Sequence, residues 1–292
     1  MLNIRPQLFL TAIAIVALSS CKNDEIIINL PTEQEQWLNN LCSKHLSGRC
    51  ADTEGGRRAA SYIEEVIKDM GYSYEEQSFV FEDLGGKNIL STIKGTCDTM
   101  LVIGAHYDGA HESDGFTHYP AANDNASGVV ALLSIMSDMK KRTTPTHYTI
   151  QFAFWDAEES HNGSSRRGSR YYVDQIDNKE LLKFYVNLDC IGYKGDNYLW
   201  MGVYMIEAIK KYALEIKETL SIFSLDYDDS LTWDASSDCW SFKRRSIPTV
   251  SITDCSLTRY RYPLHTPQDT IDNVDTKRIK KISDALYLFF NI

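Results

Sequence analysis

The chain has 292 residues, 43% hydrophobic and 24% charged, which excludes a low-complexity or disordered polymer and fits an ordinary globular protein. A formal net charge of -10, with basic residues scattered along the sequence, argues against a nucleic-acid partner, because phosphate binding needs clustered Lys and Arg. The short run Arg166-Arg167 reads as a solvated loop.

At the N-terminus a single cation, Arg5, precedes the apolar run Leu8 to Leu18 and then Ser19-Ser20-Cys21. Such a run is too short to span a bilayer. It resembles a bacterial lipoprotein signal, with residues 1–20 removed, Cys21 lipidated and residues 21–31 serving as a tether to the domain at 32–292. An ordinary secretory signal is the alternative. The resemblance implies a cell-envelope lipoprotein, periplasm-facing or on the cell surface, held to the membrane by its N-terminal lipid. Six further cysteines, Cys42, Cys50, Cys97, Cys190, Cys239 and Cys255, show no CxxC spacing, which argues against a cysteine-based zinc site and leaves their pairing open.

Further along, residues 33–46 and 54–70 have the apolar spacing of amphipathic helices, the second ending at Gly71. Strands are expected at 74–82, 88–95, 99–108, 147–159, 182–192, 197–202 and 248–253. Between and after them, helices are expected at 126–141, near 165–175, at 205–220, near 237–244 and at 274–290. This alternation predicts an α/β three-layer sandwich with a mixed, mostly parallel central sheet flanked by helices. Ligands of such sheets bind beyond the carboxyl ends of the strands.

Acidic and imidazole groups stand at those ends. His106 and Asp108 follow "LVIGA", Glu158 and Glu159 follow "FAFWDA", and Asp189 follows "FYVNL". Asp124 lies in "AANDNASG" just before a helix, and His265 in "YPLHTPQDT". Taken singly, each has an ordinary reading as a helix cap, a solvated first turn or a loop residue. Gathered at one sheet edge, they would repel one another and resist desolvation unless a cation neutralised them. Carboxylate oxygen mixed with imidazole nitrogen suits zinc.

The motifs "GAHYD", "AANDNASGV", "FWDAEE", "GSRYYV", "NLDCIG" and "HTPQDT", in this order, resemble the co-catalytic di-zinc exopeptidases that include bacterial leucyl aminopeptidases and are related to glutaminyl cyclases. The resemblance runs from about Leu41 to the C-terminus. It implies two zinc ions bridged by Asp124, with His106 and Asp189 on one and Glu159 and His265 on the other. Glu158 is then the general base, and Asp108 holds the free imidazole nitrogen of His106. A cis peptide joining Asp124 to Asn125 is implied as well. The expected reaction is metal-assisted hydrolysis of N-terminal peptide bonds, with a peptide as substrate. Glutaminyl cyclase-like acyl transfer and a non-catalytic surface-binding lipoprotein are the alternatives.

Departures from the pattern are local. Many relatives carry "SDH" where this chain has Asp238-Cys239; Asp238 is expected to support the site from behind the metal ligands, and Cys239 could pair with Cys255 or remain a buried thiol. His111 and His118 read as loop histidines near the site entrance, while Trp233, Tyr260 and Tyr262 either shape a pocket or pack their own loops.

Overall fold

Helix α1 (Glu33–Leu41) opens on a capping box, in which the Thr32 hydroxyl accepts the Glu35 amide while the Glu35 carboxylate accepts the Thr32 amide. Its chain ends at Leu41, with Cys42 already outside, so the helix stops short of the expected residue 46. Helix α2 (Glu54–Asp69) is capped by Thr53 and buries Ala59, Ala60, Ile63 and Ile67. The computed structural model describes residues 30–46, 48–81, 83–110, 119–159, 164–195, 198–204, 206–228, 237–254 and 263–291. Cys21 and the signal sequence, His111, His118, Trp233, Cys255, Tyr260 and Tyr262 lie outside them.

Among the described residues eight strands follow: β1 (Glu75–Phe81), β2 (Leu84–Ile93), β3 (Cys97–His106), β4 (Tyr148–Trp155), β5 (Leu182–Leu188), β6 (Tyr198–Tyr204), β7 (Asp226–Asp228) and β8 (Thr249–Asp254). They form one sheet in the order β1-β2-β4-β3-β5-β8-β6-β7. The central four, β4, β3, β5 and β8, run parallel, while β1, β2 and β6 pair antiparallel at the flanks. Further helices are α3 (Ser127–Met139), α4 (Arg167–Asp174), α5 (Ile206–Ile222), α6 (Cys239–Arg244) and α7 (Thr276–Phe289).

The two-residue period of a strand divides the core in two. From β3, Leu101, Ile103 and Ala105 enter the larger cluster with α1, α2, α3, α5 and α7, and Val102 enters the smaller one with α4 and α6. From β4, Phe152 and Phe154 go to the first, Ala153 and Trp155 to the second. This is the expected three-layer α/β arrangement, with both sheet faces covered as a parallel sheet requires. Among the described residues no helix is long and apolar enough to cross a membrane.

Arg166-Arg167 is not a solvated loop. Arg167 is 1% exposed, and the Arg166 guanidinium lies over the Trp240 ring. The backbone explains this: the amides of Arg166, Arg167 and Gly168 donate to the carbonyls of Glu158, Ala157 and Asp156, so the segment runs tightly along the turn that follows β4.

Candidate active site

Parallel β3, β4 and β5 end side by side, which delivers His106, the turn with Glu158 and Glu159, and Asp189 to one edge. Asp124 arrives from the turn Ala122–Ala126 ahead of α3, and His265 from the segment between β8 and α7. The peptide joining Asp124 to Asn125 is cis, as expected. Four of these segments contain a non-glycine residue in the left-handed region: Ala121, Ala157, Cys190 and His265 itself. Such backbone is disfavoured for L side chains and collects where surrounding bonds over-determine it.

The cluster is organised around Asp124. One carboxylate oxygen lies 3.2 Å from His106 Nε2 and the other 3.1 Å from His265 Nε2. Glu159 stands 3.1 Å from His265 Nε2, and Asp189 stands 3.6 Å from His106 Nε2. The five residues thus fall into two sets sharing Asp124. Glu158 and Glu159 are buried, whereas His265 is half exposed.

Asp108 does more than face an imidazole. Its carbonyl and carboxylate oxygens lie 3.2 and 3.5 Å from His106 Nδ1, and the same carboxylate accepts the amides of Glu158 and Glu159, each at 3.0 Å. One side chain therefore ties the end of β3 to the end of β4. Asp238 is fully buried, and among the described residues neither of its oxygens meets a donor at bonding geometry.

The electrostatics follow from packing like charges out of water. Burial, reinforced by Asp124, pushes the Glu159 carboxyl up to about 7. Burial likewise raises Asp238 to about 7 and lifts Glu158 well above the carboxylate range. Burial opposes charge on His106, but Asp108, Asp124 and Asp189 outweigh it and raise the imidazole well above its ordinary value. Asp124 is the reverse: burial is overcome by both imidazoles and its carboxyl is lowered.

Do these residues fit a metal? Among the described residues, His106 Nε2, Glu159 Oε1 and Asp189 Oδ1 are buried with no hydrogen-bond partner. Atoms of this kind, left unsatisfied, cost free energy that a cation recovers. Ligand atoms of His106, Asp124 and Glu159 all lie within 4.8 Å of one another. The donor set fits zinc.

Several residues that the motifs left without a role hold this geometry. The Asp269 carboxylate accepts the amides of Asn123 and Asp124 at 2.8 and 3.0 Å. Asn125 donates to the Leu188 carbonyl and accepts the amides of Gly128 and Cys190. Asn123 accepts the Gly192 amide and donates to Asp254. Buried Arg49 donates to the carbonyls of Leu41, Tyr107, Pro120 and Ala121, joining the ends of α1 and β3 to the approach to Asp124. The available signals were weak: an Asp four positions past His265, Asn on either side of Asp124, and a lone Arg in "HLSGRCADTE".

A three-layer α/β sandwich with a carboxylate–imidazole cluster at the carboxyl edge of its parallel strands is the layout of a metal-dependent enzyme. Residues 88–290 match the model of peptidase family M28, and the chain belongs to that family. Aminopeptidase YwaD of Bacillus subtilis (strain 168) is 28% identical over 192 residues, covering 64% of this chain and 39% of that protein. The fold is shared with solved structures. Glutaminyl cyclase of Bacteroides thetaiotaomicron, bound to N-acetylhistamine, has a TM-score of 0.74 at 19% identity, with 88% of this chain and 96% of that chain covered. BSAP, a zinc aminopeptidase from Bacillus subtilis, has a TM-score of 0.72 at 15% identity, with 87% and 92% covered.

Proposed function

We propose that this chain is a zinc-dependent aminopeptidase that hydrolyses the N-terminal peptide bond of a peptide substrate. The observation that carries the reading is Asp124 facing a different imidazole with each carboxylate oxygen. A carboxylate that offers one oxygen to each side is suited to bridge two adjacent cations. In this reading His106, Asp124 and Asp189 would hold one zinc ion, and Asp124, Glu159 and His265 would hold the other. The bound metal supplies Lewis acidity, easing deprotonation of water and polarising the scissile carbonyl.

Glu158 is the proton carrier. It accepts a proton from the attacking water as the new carbon–oxygen bond forms, then delivers that proton to the departing amine as the carbon–nitrogen bond breaks. Burial, which raises its affinity for that proton, suits the second half of this task. Asp108 orients both partners: it faces His106 Nδ1 and grips the amides of the Glu158-Glu159 pair. Asp238, on the motif's resemblance, would support the ligands from behind.

Aminoacyl-nitroanilides and an N-terminal glutaminyl peptide, each assayed with and without chelator, test the reading. Chelator-sensitive release of nitroaniline supports it; cyclisation of the glutaminyl peptide without nitroaniline release overturns it in favour of acyl transfer. Elemental analysis of zinc-replete protein is expected to give two ions per chain. The N-terminal sequence supports Cys21 as the lipid attachment point, so Cys21→Ala is expected to lose partition into a detergent phase.

A further inference from the structure

Resting on the proton-carrier role proposed for Glu158, we infer that Asp156 is a positioning residue for that carboxylate. It fixes the turn Asp156-Ala157-Glu158 against β2, so that turnover depends on Asp156 while metal binding does not.

Every backbone amide and carbonyl from the Asp156 amide to the Glu159 amide has a partner. The Asp156 amide donates to Asn88 Oδ1, and the amides of Glu158 and Glu159 donate to Asp108. The carbonyls of Asp156, Ala157 and Glu158 accept the amides of Gly168, Arg167 and Arg166. The remaining amide, that of Ala157, goes to one Asp156 carboxylate oxygen at 2.9 Å, while the other oxygen takes the Lys87 amide of β2 at 3.0 Å. Ala157 is fully buried with a φ of 56°, a conformation disfavoured for alanine that persists where surrounding bonds impose it.

Strand β4 lies between β2 and β3, and one carboxylate ties its end to each neighbour: Asp108 to β3, Asp156 to β2. The two ties differ in what else they touch. Asp108 also faces His106 Nδ1, a proposed ligand, whereas both oxygens of Asp156 meet backbone amides. Releasing Asp156 therefore loosens the base and leaves the metal ligands in place. A displacement of about 1 Å in a reacting group can cost on the order of 100-fold in rate.

Asp156 is also reached by a route of its own. A cavity of about 390 Å³ extends from the exposed Asp52 and Arg57, past Phe79 and Lys87, to Tyr107 and Asp156, which are 1% and 4% exposed. None of the five proposed metal ligands lines it. Asp156→Ala removes one carboxylate group beside this cavity, so formate entering it can accept the amides of Ala157 and Lys87 in place of the missing side chain.

Formate rescue tests the assignment. In Asp156→Ala, kcat on an aminoacyl-nitroanilide is expected to fall by roughly 10–100-fold with KM and zinc content at the parent values. Formate should restore part of that loss, and should raise turnover in neither the parent protein nor Glu158→Gln. Asp156→Asn, which keeps the size and one acceptor oxygen, should fall between parent and Asp156→Ala, and it decides the matter where the alanine variant does not fold. Amide hydrogen exchange of the zinc-free full chain gives a readout independent of activity: the amides of residues 157–159 should exchange faster in the variants, and formate should slow them in Asp156→Ala. Parent kcat and parent exchange in a folded variant, a loss of turnover that formate leaves unchanged, or a loss that follows zinc content overturns the role of Asp156. Failure of the zinc-loaded parent protein to release nitroaniline overturns the aminopeptidase reading instead, and the exchange of residues 157–159 still decides whether Asp156 holds the turn.

Discussion

Asp269 holds Asp124 by its backbone: one Asp269 oxygen lies 3.0 Å from the Asp124 amide, while the other takes the Asn123 amide at 2.8 Å. The carboxylate at the centre of the site is thus aimed by a second carboxylate acting on its backbone. Asp269→Asn keeps the size but replaces one acceptor oxygen with an NH2 group that faces an amide N–H. Zinc affinity is expected to fall by about 10–100-fold, measured by competition with a chromophoric chelator. Excess zinc should restore much of the activity, since no reacting group has been removed.

Glu158 and Glu159 are neighbours with separable tasks. Glu158→Gln removes a base without changing volume, so turnover is expected to drop by roughly two to four orders of magnitude while zinc content stays at the parent value. Glu159→Gln weakens one ion and loses activity through that loss, in part recoverable with added zinc. Paired elemental analysis and nitroanilide kinetics read both effects. Near-normal turnover in the Glu158 variant, or zinc loss there and not in the Glu159 variant, would reverse the assignment.

Strand-end chemistry was legible because hydrophobic runs in a parallel sheet have abrupt polar ends, and His106, Glu158, Glu159 and Asp189 all stand at such ends. The supporting shell was not. Arg49 and Asp269 act on backbone groups distant in sequence, and neither periodicity nor composition reports a hydrogen bond that closes 58 or 146 positions later. The same limit misled the reading of Arg167, whose charge suggested solvent while the chain pairing at Ala157 carried it inside. Strand β2 begins at Leu84, before the expected residue 88, because Gly85 and Gly86 have no side chains to show a strand pattern; at Gly86 the Phe79 ring occupies the room a Cβ would need. The three-residue strand β7 was too short to leave a periodic signal at all.

Gly128 is a tight point between α3 and the site. A Cβ there would lie 2.6 Å from Asn125 Oδ1 and 2.8 Å from the Leu188 carbonyl, the two groups around which the Asp124 and Asp189 turns are joined. Gly128→Ala is expected to destabilise the chain by about 1–3 kcal/mol in urea unfolding, despite the better helix propensity of alanine. It should also weaken zinc binding, because Asn125 cannot move without releasing the Cys190 amide.

The metal-free chain should lose stability as pH rises from about 4 to 8, which is unusual for an acidic protein. Burial raises Asp156, Glu159 and Asp238 to about 7 from ordinary values of 3.8, 4.5 and 3.8. Across that window the folded state therefore retains protons that the unfolded chain has released, and unfolding free energy falls with rising pH. His265, raised to about 11 from 6.5 by Asp124 and Glu159, works in the same sense: its contribution is complete below 6.5 and is lost as pH rises toward 11. Asp124, lowered, acts oppositely, but only below its ordinary value of 3.8. Zinc substitutes for these protons, so its stabilising effect should grow with pH as proton competition for Glu159 and His265 fades. Melting temperatures of chelated and zinc-loaded protein at pH 5 and pH 8 check the sign. The chelated chain should melt higher at pH 5, and the gain from zinc should be larger at pH 8; a chelated chain that is more stable at pH 8 would contradict the raised carboxyls on which the expectation depends.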